Sequence, residues 1–84
     1  MEAWMDQLAE ALGEDTLSDV ETAQLLNVAR DVAHRVERKI TPLASFLLGC
    51  AAGRSLAGGA DRADAMGAAI DTVRALLPEA PAEA

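Results

Sequence analysis

The sequence predicts an all-α protein, a compact four-helix domain with a central apolar helix. Three observations lead there. A charge-free run, Pro42 to Gly53, lies between segments whose apolar residues recur at helical spacing. Gly13, Thr41-Pro42, Gly58-Gly59 and Pro78 mark the ends of these segments. No stretch alternates as a strand would.

The first helix is expected from near Glu2 to Leu12. Trp4, Met5, Leu8, Ala11 and Leu12 form one apolar face, and Glu2, Asp6 and Glu10 recur at four-residue steps outside it. Gly13 can end the helix in a left-handed conformation at little cost. Ser18-Asp19-Val20-Glu21 reads as a capping box opening the second helix. That helix is expected over about residues 19–39, with Leu25, Ala29, Val32, Val36 and Ile40 as its stripe. Thr41-Pro42 is expected to break the chain and to cap the third helix, because the residue before proline disfavours helical geometry. Leu43, Phe46, Leu47, Leu48, Cys50, Ala51 and Ala52 make the third helix apolar nearly all round. Residues 43–52 are therefore expected to be the most buried segment, with Cys50 a small core residue. Gly58-Gly59 is a loop. Asp61 caps a fourth helix reaching near Leu77, with Ala63, Met66, Ile70, Val73 and Leu77 on its apolar face. Residues 1–77 read as one domain and 78–84 as a disordered tail.

Ser45, Gly49 and Gly53 fall on one line at four-residue steps, with Phe46 beside it. These four are the expected helix-packing residues. Their small side chains suit a close crossing inside the domain, or contact with a second copy. On that reading a leucine at Gly49 would be severely destabilising.

With 84 residues the chain has room for one small domain. It is 51% hydrophobic, but with one Phe, one Trp and no Tyr. An alanine-rich core of this kind leaves room for a partner or a second copy to complete it. The net charge of −7 argues against nucleic acid as a ligand. One cysteine cannot form an internal disulfide, and the N-terminus does not resemble a signal peptide, so a cytoplasmic protein is expected. The uncharged run falls short of the ~20 residues that span a bilayer, so no membrane contact is expected.

The charge changes sign along the chain. No Lys or Arg precedes Arg30, whereas Arg30, Arg35, Arg38, Lys39 and Arg54 crowd into residues 30–54 with the sole histidine, His34. Arg30, His34 and Arg38 stand at four-residue steps, with Asn27, Asp31 and Arg35 on the adjacent line. Asp31 can pair with Arg35 or accept from His34. Arg30, Asp31, His34, Arg35 and Arg38 are thus the candidate contact residues, either for an acidic partner or for a small phosphate or carboxylate ligand. A salt-bridged, solvated helix face accounts for the same pattern. Arg54 is expected near Asp19, Glu21 or Asn27 at the acidic end of the second helix. Ser45 and Cys50, the nucleophiles nearest His34 in sequence, lie in an apolar helix. No catalytic constellation, zinc-like spacing or phosphate loop is visible, so neither enzyme activity, nor a metal, nor a cofactor is expected.

Leu25-Leu-Asn-Val-Ala-Arg-Asp-Val-Ala-His-Arg-Val-Glu-Arg, followed by Pro42-Leu-Ala-Ser-Phe-Leu-Leu-Gly-Cys-Ala-Ala-Gly-Arg, resembles a family of short helical domains of unknown function in high-GC Gram-positive bacteria. Its members occur alone or attached behind a molybdenum cofactor guanylyltransferase domain. The resemblance extends from Trp4 to near Leu77. It rests on Arg30, Asp31, His34, Pro42, Phe46, Gly49 and Gly53; Cys50 is outside the motif. The resemblance implies no catalytic role. It implies an accessory or docking function linked to molybdenum cofactor (molybdopterin guanine dinucleotide) maturation, with the guanylyltransferase or a related maturation factor as partner. A homodimeric structural module is a further alternative.

Overall fold

The structure is a computed structural model describing residues 2–79. The expected disordered tail lies, from residue 80 on, outside the described residues. Four α-helices follow one another: α1 (Glu2–Leu12), α2 (Asp19–Arg35), α3 (Thr41–Ala57) and α4 (Arg62–Leu76). The protein is an all-α four-helix domain.

The helix ends are set locally. Ser18 Oγ accepts from the Glu21 N–H at 3.1 Å, and Glu21 Oε1 accepts from the Ser18 N–H at 3.0 Å, which completes the capping box of α2. Asp61 Oδ2 accepts from the N–H groups of Ala63 and Asp64 and so caps α4. Gly13 and Gly59 close α1 and α3 with positive φ angles of 73° and 99°. In each case the glycine N–H and the next N–H turn back to the last helical carbonyls, as in a Schellman motif.

The break between α2 and α3 lies earlier than expected. Helix α2 stops at Arg35, and Glu37 is extended with φ −169° and ψ 140°. A single 3-10 turn, Arg38–Ile40, then runs directly into α3. Thr41 is helical despite preceding proline, and its hydroxyl does not cap α3 but is buried without a hydrogen-bond partner among the described residues. Pro42 sits in the first turn, where no N–H is needed.

Helices α2, α3 and α4 build the core. Val28 meets Leu48, Ala52, Ala69 and Ile70, with Leu25, Ala51, Met66 and Val73 packed around them. The buried residues are mostly small, so the three helices come close, as an aromatic-poor composition requires. Helix α1 takes no part. No Cα of α1 comes within 8 Å of another helix. Trp4 is 60% exposed and Leu12 65%, and of the apolar face read for the first helix only Leu8 is half-buried, so its own chain leaves most of that face uncovered.

Residues 43–52 are not the most buried segment. Of this run only Leu48 and Ala52 are buried; Phe46 and Leu47 are 71% and 68% exposed, and Cys50 is also exposed. Helices α2 and α4 both cover the same side of α3, and α1 does not reach the other. Ser45, Phe46, Gly49 and Gly53 therefore do not sit at a crossing within the domain. A Cβ at Gly49 or Gly53 would meet nothing within 4 Å. The 3-10 turn and α3 together also form a run of 20 residues, Arg38–Ala57, long and apolar enough by composition to cross a membrane. The uncharged segment alone understated that length.

Candidate functional site

The structure places the basic cluster at the C-terminal half of α2 and on the turn that follows. Arg30, His34, Arg35 and Arg38 are all exposed. Among the described residues none of them has a carboxylate within 4 Å. Lys39 pairs weakly with Glu37, at 3.5 Å between two solvent-facing side chains. The bend at Val36–Glu37 carries Arg38 off the helix, so the expected four-residue line of Arg30, His34 and Arg38 is interrupted.

Asp31 is drawn away from this surface. Its Oδ2 accepts from Arg74 Nη1 on α4 at 2.7 Å, neither from His34 nor from Arg35. The Arg74 hydrogen bond holds the Asp31 carboxyl below the usual aspartate range, and the fields of Arg74, Arg35 and Arg30 add to the effect. Asp31 thus clasps α2 to α4 at the stretch of α2 that carries Arg30, His34 and Arg35.

A second clasp lies at the other end. Arg62 Nε donates to Glu21 Oε2 at 2.6 Å and Nη2 to Oε1 at 3.3 Å, with Asp15 at 3.7 Å from Nη1. Glu21 therefore closes the α2 capping box and ties α2 to α4 at once. The Arg62 hydrogen bond, followed by that of the Ser18 N–H, lowers the Glu21 pKa; the same Arg62–Glu21 bond raises that of Arg62. Arg54, expected at this acidic end, forms no ion pair there; Arg62 holds the position. Arg62 and Arg74 escaped the sequence reading because their partners lie 41 and 43 residues away.

His34 makes no hydrogen bond among the described residues, and the carboxylate that could orient it is engaged by Arg74. No group of three or more His, Cys, Asp or Glu among the described residues could hold a metal ion. Two apolar hollows flank the domain. One, about 540 Å³, opens between α1 and the start of α2; the other, about 370 Å³, runs between the end of α2, α3 and the end of α4.

These features define a small helical domain with a basic end and uncovered apolar faces. Residues 1–84 match the family described as Domain of unknown function (DUF6457), and the chain belongs to that family. No curated protein and no solved structure gives a significant match.

Proposed function

We propose that this chain is a non-catalytic docking domain of the cytoplasm, contacting its partner through Arg30, His34, Arg35 and Arg38. One observation carries the reading. A chain with 14 acidic and 7 basic residues leaves three arginines of one short segment without an ion-pair partner among the described residues. Exposed guanidinium groups clustered on the end of α2 and the turn after it suit carboxylates or phosphates presented by another molecule. The resemblance of residues 25–54 to domains carried behind molybdenum cofactor guanylyltransferases in high-GC Gram-positive bacteria supports that transferase, or a related maturation factor, as the partner.

The test is titration calorimetry of a purified guanylyltransferase with the wild-type chain and with Arg30→Ser/Arg35→Ser/Arg38→Ser. The wild type should bind, more weakly as salt rises, since exposed charges are screened beyond ~8–10 Å. The triple variant should bind at least about tenfold more weakly, a loss of ~1.4 kcal/mol. Equal binding by both chains, or binding by neither, overturns the reading. Thermal stabilisation by pyrophosphate or a nucleotide, lost in the triple variant and without transferase binding, would favour a small anionic ligand on the same residues.

A further inference from the structure

Helix α1 has 11 residues, and none of its Cα atoms comes within 8 Å of another helix. Isolated helices shorter than ~12–15 residues are marginal in water, so α1 needs a surface to lie on. Its own chain offers only the open hollow at the start of α2, where Leu8 is half-buried, and Trp4, Met5 and Leu12 stay exposed. At the far end of the domain a groove stands open, lined by Val36, Ile40, Leu47, Val73, Leu76 and Leu77, with Thr72 its one polar side chain. Helix and groove are complementary in charge as well. Helix α1 carries Glu2, Asp6 and Glu10 and no base, while the segment that holds Val36 and Ile40 carries Arg35, Arg38 and Lys39 against the single acid Glu37.

The surface area points the same way. A compact monomer of 8.7 kDa exposes about 4,700 Å². This chain exposes 6270 Å². Setting aside about 800 Å² for the six residues outside the described range still leaves an excess of about 770 Å². A stable protein–protein interface takes about 800 Å² from each partner.

We infer that α1 is an exchanged arm: in a two-fold dimer it lies in the groove of a second copy, whose own α1 lies in the groove of the first. A reciprocal contact of this kind closes on itself and leaves neither apolar surface exposed. A bilayer is the less suitable occupant. The chain's charge of −7 is repelled by an anionic leaflet, and Arg54 stands within the last turn of the apolar run. The inference shares Arg35 and Arg38 with the docking reading but rests on the apolar faces of α1 and the groove, which that reading does not use.

Sedimentation equilibrium across a wide concentration range tests it. The wild type should be a reversible dimer. Trp4→Glu/Leu12→Glu in the arm and Leu47→Glu/Leu76→Glu in the groove should each raise the dimer Kd by more than about tenfold. All four residues are exposed in the protomer, so circular dichroism should still report a folded α2–α4 core. Mixing the arm variant with the groove variant restores one intact arm–groove contact, and a heterodimer should appear. A wild type that stays monomeric at every concentration overturns the inference, as does a dimer indifferent to either variant. Loss in the arm variant without rescue on mixing would mean an α1–α1 contact instead. A monomer that floats with phosphatidylcholine vesicles would assign the faces to lipid. Should Arg30→Ser/Arg35→Ser/Arg38→Ser lose the transferase yet remain dimeric, the two proposals stand apart.

Discussion

Glu21 is where the local and tertiary forces on this domain meet, and replacing it separates them. Gln at this position keeps an oxygen that can accept from the Ser18 N–H, so the capping box survives while the charge is lost. Ala removes both contacts. A charge-assisted hydrogen bond is worth ~1.5–3 kcal/mol when well buried. Arg62 keeps part of its side chain in water, which brings the value for this pair down to about 1 kcal/mol. Loss of the cap contact adds about 1 kcal/mol. For a domain of this size each 1 kcal/mol moves Tm by ~4–8 °C. Glu21→Gln should therefore melt about 4–8 °C below wild type and Glu21→Ala about 8–16 °C below, read by circular dichroism at pH 7. The gap between wild type and Glu21→Gln should also depend on pH in one direction. The folded carboxyl titrates below its ordinary value of 4.5, so its contribution is complete above that value and fades as pH falls through the folded pKa. The two curves should run parallel above about pH 5 and converge in acid. If both variants melt within a degree of wild type, or if the gap widens in acid, the clasp does not stabilise the domain in the way the geometry implies.

The other predictions concern α3. Leu48→Ala, in the core beside Ile70 and Val28, should cost ~2–5 kcal/mol by chemical denaturation. Its neighbour Leu47→Ala should cost the isolated protomer less than about 0.5 kcal/mol; similar losses for the two would mean that α3 is covered on both sides. Gly49→Ala should stabilise by up to ~1 kcal/mol, because a Cβ there meets no neighbour and alanine is the better helix former. A marked destabilisation would restore Gly49 to a close helix crossing.

What the sequence determined by itself is the set of features whose partners lie within a few residues. The α2 capping box, the Asp61 cap, the Gly13 stop and the assignment of four helices depend on spacings of two to five residues, which any reader of the chain can see. The basic segment was legible for the same reason, since Arg30, His34, Arg35 and Arg38 are close in sequence. Tertiary structure decided which faces are covered. A helix apolar all round does not say how many neighbours it has, and α3 has them on one side only. Local rules made Thr41-Pro42 the break, yet the chain turns at Val36–Glu37 and keeps Thr41 in the helix. Asp31 had His34 and Arg35 within reach along its own helix, but Arg74, 43 residues on, holds it. Pairing of that kind depends on how α4 returns across α2, and that path is set by the burial of Val28, Leu48, Ala69 and Ile70 together rather than by any segment alone.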